Sequence, residues 1–203
     1  GSNIIGLPMD DEGIIISKLL KAVRSANNNI LCISPDLNIP TGTITSVARR
    51  KEILEVCSKH KVPIVEHTLF PFGCTLSDMP SLKSMDKDGS VIHLSQIGTT
   101  SSTNPWLGWM IADEYLLKRL NNIRFNLDAH QNYLTQIATL QAFETGRYTN
   151  YLKRISDTRK KRNKAVYGLL EKHLTGLAEW NRENIDACIW LQFNKGVNTH
   201  HMY

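Results

Sequence analysis

Four short apolar runs constrain this chain more than any other feature. They are residues 30–33 (Ile-Leu-Cys-Ile), 62–65 (Val-Pro-Ile-Val), 91–94 (Val-Ile-His-Leu) and 107–112 (Leu-Gly-Trp-Met-Ile-Ala). Each is too short for a helix and is continuous rather than alternating, which is the mark of a strand buried on both faces. Amphipathic stretches stand between the early runs. The first spans 11–26, with Ile15, Leu19, Leu20 and Val23 at helical spacing and Asn28-Asn29 closing it; the second spans 47–60, with Ile53, Leu54 and Val56 inward. Strand and helix in alternation predict an α/β fold whose parallel sheet is covered on both faces. Beyond Ala112 the pattern turns helical over 114–127, 131–143 and 150–173, with Gly146 and Gly176 as breakers. A last apolar run, 187–193, reads as a strand of a separate, smaller layer.

Composition narrows the class. With 203 residues the chain holds one large domain, or a domain and part of another. No apolar run approaches the roughly 20 residues that cross a bilayer, and no signal-peptide pattern is present. Gly1-Ser2 resembles a cloning remnant and is left out of fold reasoning. Cys32, Cys57, Cys74 and Cys188 are scattered without a Cys-x-x-Cys pair. They suit buried thiols in a reducing cytoplasm better than disulfides or a metal site. His200-His201 at the extreme end is a weak metal signal, and no metal is expected.

The formal charge is +5, and its densest basic run is Arg159-Lys-Lys-Arg-Asn-Lys164. Tyr148, Tyr151, Leu152, Ile155, Val166, Leu169 and Leu170 form an apolar stripe on the same predicted helix. The cations then fall mainly on its outer face, a solvated surface, with a phosphate-facing patch as the alternative. No aromatic residue is interleaved for base stacking.

Four segments carry more specific information. Ser34-Pro-Asp-Leu-Asn-Ile-Pro-Thr-Gly42 is followed by Ser46 and Arg49-Arg50. Pro63-Ile-Val-Glu-His-Thr68 follows, and then Pro80-Ser-Leu-Lys-Ser-Met-Asp-Lys-Asp-Gly89. The run from Val91 to Thr100 is succeeded by Asn104-Pro-Trp-Leu-Gly-Trp-Met-Ile-Ala112. In this order, over roughly residues 4–195, they resemble fold-type I aminotransferases that use pyridoxal phosphate. The likeness is strongest to the aminotransferase-like domain of MocR/GabR-type regulators of the GntR superfamily. Taken singly, Pro40-Thr-Gly42 is an ordinary turn signal, Thr99 an ordinary loop threonine and His67 a structural histidine at a strand end.

The resemblance implies a site whose chemistry has been removed. The Schiff-base lysine position falls on Thr99, the serine before it on Gly98, the phosphate-binding arginine on Trp106 and the pyridine-nitrogen aspartate on His67. Threonine cannot form the imine. Lys83 and Lys87, the nearest lysines upstream, do not occupy that position. Three positions with separate roles have changed together, so no catalytic residue and no covalently bound pyridoxal phosphate are expected. A retained cavity bounded by Asn38, His67, Thr99, Trp106 and Trp109 would suit a flatter, more apolar, less phosphorylated effector. The alternative is that Trp106 fills the vacated space.

The same resemblance implies a partial aminotransferase large domain over 3–112, interdomain and small-domain helices over 113–175, and the start of a small α+β domain over 176–203. It implies a fragment of a longer protein, a homodimer, and DNA reading only through a winged-helix module that this chain lacks. Alone, the chain should bind DNA weakly and without sequence preference. Three functions follow: the effector-binding and dimerisation domain of a cytoplasmic GntR/MocR-type regulator, a pyridoxal-phosphate aminotransferase of unusual construction, or a ligand-free structural dimerisation module. A shared fold alone decides between none of them.

Overall fold

A computed structural model describes residues 3–25, 29–68, 79–97, 107–127, 132–180, 189–194 and 196–199. In chain order the elements are β1 (Met9–Asp10), β2 (Gly13–Ile14), α1 (Ile16–Ser25), β3 (Leu31–Ile33), α2 (Val47–Lys59), β4 (Ile64–Thr68) and α3 (Leu82–Met85). They continue with β5 (Val91–Ile97), β6 (Leu107–Ile111), α4 (Glu114–Leu127), α5 (Tyr133–Glu144), α6 (Arg147–Leu174), β7 (Ala178–Trp180) and β8 (Leu191–Phe193). The four expected central strands are neighbours in the order β3-β4-β5-β6. The first three are parallel and β6 is antiparallel to β5. The result is a mixed, mostly parallel α/β sheet.

The covering layers differ from expectation. Leu31, Ile33, Ile64 and Val91 share one face of the sheet by strand parity, and all join a core with Leu19 of α1, Ile53 and Cys57 of α2, and Leu82 of α3. Each fully buried aliphatic side chain stabilises by about 1.5–3 kcal/mol. The other face carries Cys32, Val65, His67, Ile92, Leu94, Gln96 and Met110. Cys32 is exposed, Met110 is 37% exposed, and the rest are half-buried. Among the described residues the sheet is closely covered on one face, to which α1, α2 and α3 all deliver their apolar residues.

Other corrections are local. Residues 11–14 are not helical; they close a β1–β2 hairpin, in which Asp10 Oδ1 accepts the Glu12 N–H at 3.0 Å. Gly13 takes φ 115°, which a helix does not use, and a Cβ there would lie 2.8 Å from Thr45 Oγ1. The segment before β5 contains a helical turn, α3, that begins where Ser81 Oγ accepts the Ser84 N–H at 3.0 Å. Within the described part of the final run, Leu191–Phe193 is a strand, and it pairs antiparallel with β7, which the sequence reading passed over. The α6 stripe is buried at Leu152, but Val166 and Leu169 are exposed. Gly146 and Gly176 take φ 69° and 81° beside the ends of α6, as breakers should. Cys57 is buried, which pushes its thiol pKa up to about 11. Cys32 is exposed, against expectation, and Cys74 and Cys188 lie outside the described residues.

Candidate functional site

In open α/β sheets, ligands gather at the carboxyl ends of the parallel strands. Here those ends bring together the loop after β3, the end of β4 and the end of β5. The loop is rigid by its own bonds. Asn38 N–H donates to Thr43 O at 2.9 Å, Gly42 N–H donates to Asn38 O at 2.6 Å, and Thr45 N–H donates to Pro35 O at 2.8 Å. The Ile39–Pro40 bond is cis, and Gly42 takes φ 75°. The main chain of Asn38 thus closes the turn while its side chain stays half-buried.

The adjacent arginines face different tasks. Arg50 is fully buried, and its guanidinium donates to Thr45 O at 2.9 Å and to Pro80 O and Pro35 O at 3.1 Å. Its Nη2 also lies 2.9 Å from Asp36 Oδ1, an electrostatic contact off the line of a hydrogen bond. Every edge of this fork is used in tying the β3 loop to the segment before α3. Arg49 reaches back to the β1–β2 hairpin instead, pairing with Asp10 at 3.1 Å and donating to Ile14 O at 2.6 Å. The Asp10 carboxyl is held below its ordinary pKa chiefly by Arg49.

Glu66, in the middle of β4, is fully buried. It accepts the N–H groups of Leu82 at 2.7 Å and Lys83 at 3.0 Å, and His93 Nδ1 lies 3.0 Å from Oε2. Burial alone would raise its pKa, but the His93 ring and the two N–H groups outweigh it and hold the carboxyl below its ordinary range. Two residues on, Thr68 Oγ1 donates to Asp36 Oδ2 at 3.1 Å, and Ser95 Oγ donates to Thr68 O at 3.4 Å. The sequence reading missed His93, Asp36 and Thr68. A carboxylate directly following the apolar pair Ile64-Val65 of a strand was the available signal, because a buried charge needs a partner on the neighbouring strand. Glu66 and His93 are direct register partners.

The residues expected to bound one pocket do not all meet. His67 is paired in register with Leu94, and Leu94 with Met110, so all three point to the open face. Trp109 is paired with Ser95, and Ser95 with Thr68, so its side chain leaves from the covered side. His67 and Trp109 therefore lie on opposite faces of the sheet, and a single pocket bounded by both is corrected. Strand parity causes this: neighbouring positions along β4 and along β6 alternate in direction, and these two fall on opposite beats. Among the described residues no hydrogen bond or ion pair engages the His67 ring. Gly98, Thr99 and Trp106 lie outside the described residues.

The upstream lysines are placed clearly. Lys83, in α3, pairs with Asp86 at 3.1 Å. It and Lys87 precede β5, at the end of that strand remote from position 99. The strand's seven residues put about 20 Å between its ends. Among the described residues no cluster of His, Cys, Asp or Glu could hold a metal ion, and no helix is long and apolar enough to cross a membrane.

The chain matches no protein-family model. It is similar over its whole length to the uncharacterized HTH-type transcriptional regulator YdfD of Bacillus subtilis, with 27% identity over 205 residues and 42% of that protein covered. A second B. subtilis regulator of this type, YisV, is 29% identical over 198 residues, covering 97% of this chain and 41% of its own length. The HTH-type transcriptional regulator NorG of Staphylococcus aureus is 24% identical over 93% of the chain and 42% of its own. The chain therefore spans about two fifths of the length of these curated relatives. The fold is shared with a kynurenine aminotransferase of Pyrococcus horikoshii, at TM-score 0.85 and 23% identity over 98% of this chain and 50% of that one. An archaeal alanine:glyoxylate aminotransferase gives TM-score 0.85 and 23% identity over 97% and 50%. The chain has an aminotransferase-like fold, and its sequence relatives are HTH-type transcriptional regulators.

Proposed function

We propose that this chain is the effector-binding and dimerisation portion of a cytoplasmic transcriptional regulator, built on an aminotransferase-like fold that no longer forms an imine with pyridoxal phosphate. The carrying observation is similarity to HTH-type regulators along the whole chain, on a fold otherwise shared with aminotransferases. Thr99 at the imine position supports the loss of chemistry. Lys83 is engaged at the far end of β5 and cannot take over from there. His67 presents a ring where the cofactor's nitrogen would need an anion. Sequence-specific DNA reading belongs to a module outside these 203 residues. Self-association is supported by the apolar residues that α4 and α5 leave to solvent, among them Phe125 (70% exposed), Leu127 (82%) and Leu134 (77%).

The test is direct. Incubation with pyridoxal phosphate and reduction with borohydride should yield no single-site lysine adduct by mass spectrometry. A stoichiometric adduct on one lysine overturns the reading. Thr99→Lys should not recover transamination either, because His67 and Trp106 still lack the anchors that cofactor binding needs together. Turnover of an amino acid and a keto acid by Thr99→Lys would reopen the enzyme reading. Sedimentation at micromolar concentration should give a dimer.

A further inference from the structure

The basic run in α6 was left by the fold as an exposed face, and it has an arrangement the run alone did not reveal. At 3.6 residues per turn, Lys153, Lys160 and Lys164 fall in one row, and Arg154, Lys161 and Lys172 in a second row about a quarter turn round the helix. All six are exposed. Among the described residues none of the six forms an ion pair, although Asp157 and Glu171 lie on the same face. On α4, by contrast, Lys118 pairs with Glu114 at 2.8 Å. From Lys153 to Lys172 the rows extend over about 28 Å, the axial length of about eight base pairs.

The opposite side of α6 bears on which polyanion fits. Leu152 and Ser156 are buried there, with Tyr148, Tyr151 and Ile155 half-buried beside them, and the helix packs on α5. A helix lying in a membrane surface would have to insert that apolar side, whose first half is already packed at Leu152, although Val166 and Leu169 farther along are exposed. The basic rows leave the helix on its other side, with Arg154 at their edge lying over the Tyr151 ring at 5.9 Å. We propose that this face of α6 is a sequence-independent docking surface for the phosphate backbone of duplex DNA, set beside whatever module reads the bases. The choice of DNA rests in part on the regulator reading above, since the relatives are HTH-type regulators. Cations at this spacing supply position and affinity without sequence information.

Anisotropy of a labelled random-sequence duplex with this chain, followed against salt, tests the surface. Each phosphate contact contributes about 0.9 to the slope of log K against log salt, so Lys160→Gln, Lys161→Gln and Lys164→Gln together should flatten it by about 2.7. A control triple on α1, Lys18→Gln, Lys21→Gln and Arg24→Gln, removes the same charge from another exposed face and should leave the slope unchanged. Circular dichroism should show both triples folded, since all six side chains are exposed. Equal flattening by the two triples overturns the proposal, because it makes the effect one of net charge. Tighter capture by phosphatidylserine vesicles than by duplex at equal salt overturns it, and so does no duplex binding at about 50 mM salt. The duplex carries no operator and the assay no cofactor, so failure here leaves the reading of the aminotransferase-like site standing. A trapped pyridoxal adduct, conversely, leaves the slope test standing.

Discussion

The two faces of the central sheet are built from the same strands and obey different rules. On the covered face the polar residues Glu66, Thr68 and Ser95 are all buried, and each is hydrogen-bonded to a named partner. On the open face His67 has no such partner among the described residues, Cys32 is exposed, and Met110 is 37% exposed. A buried polar group left unmatched is costly, so the covered face constrains its residues strongly. The open face constrains them weakly. A position that folding does not need is one that function can alter, and His67 stands at such a position.

The largest predicted effect falls on the covered side. Arg50→Leu removes a guanidinium that serves the carbonyls of Thr45, Pro35 and Pro80 and neighbours the Asp36 carboxylate. It takes this donor from the Thr45 and Pro80 carbonyls and the cation from Asp36, while Pro35 O keeps the Thr45 N–H and Asp36 Oδ2 keeps Thr68; breaking a buried charge contact of this kind costs about 3–5 kcal/mol. The denaturant midpoint in urea reads it. A loss below about 1 kcal/mol, the size of an ordinary substitution, would break the contrast between the faces.

Glu66→Gln sharpens the comparison by changing charge without shape. The amide nitrogen of glutamine cannot accept, so one of the partners Leu82 N–H, Lys83 N–H and His93 is left facing a donor. The expected loss is about 2–3 kcal/mol. The pH dependence follows from the depressed folded-state pKa of Glu66. Its contribution is complete above the ordinary glutamate value of 4.5 and is lost as pH falls through the lower folded value. Stability of the parent chain should therefore decline on acidification below pH 4.5, and less steeply in Glu66→Gln. Asp86, whose carboxyl is also held low by the N–H of Val91 and by Lys83, has the same sign, so the acid limb should shrink without vanishing. An unchanged acid limb in the variant would show that Glu66 is not the group that matters.

What the sequence made legible follows the same division. The four apolar runs located every strand of the central sheet, although burial along those strands alternates and β6 has no buried residue. The helix over Glu114–Leu127 was bounded correctly at both ends, as a long amphipathic pattern allows. The β1–β2 hairpin was hidden because Ile14 and Ile15 fit the helical spacing as well as they fit a strand end, and only the backbone of Gly13 decides. Helix α3 was hidden because four residues carry no period, and their position depends on Glu66, 16 residues away. At the candidate site, motif spacing picked out His67 but not its side of the sheet. Parity relative to Trp109 is fixed by the register of β4 with β5 and of β5 with β6, and no local motif encodes that.

The smallest predicted effect is the most discriminating. His67→Ala removes a half-buried ring from β4, one residue from Glu66 in sequence and on the opposite face. If strand position alone set the cost, the two substitutions would be comparable. If partners set it, His67→Ala should change stability by less than about 0.5 kcal/mol, because only partial apolar contact is lost and nothing is left unmatched. The urea midpoint and its slope should match the parent chain, and the acid limb should keep its full steepness because Glu66 and His93 are untouched. A loss approaching that of Glu66→Gln would mean that the His67 ring has a buried partner, and that the open face carries part of the folding free energy after all. A null result shows that the His67 ring takes no part in holding the sheet together, as the absence of a hydrogen-bond partner among the described residues implies.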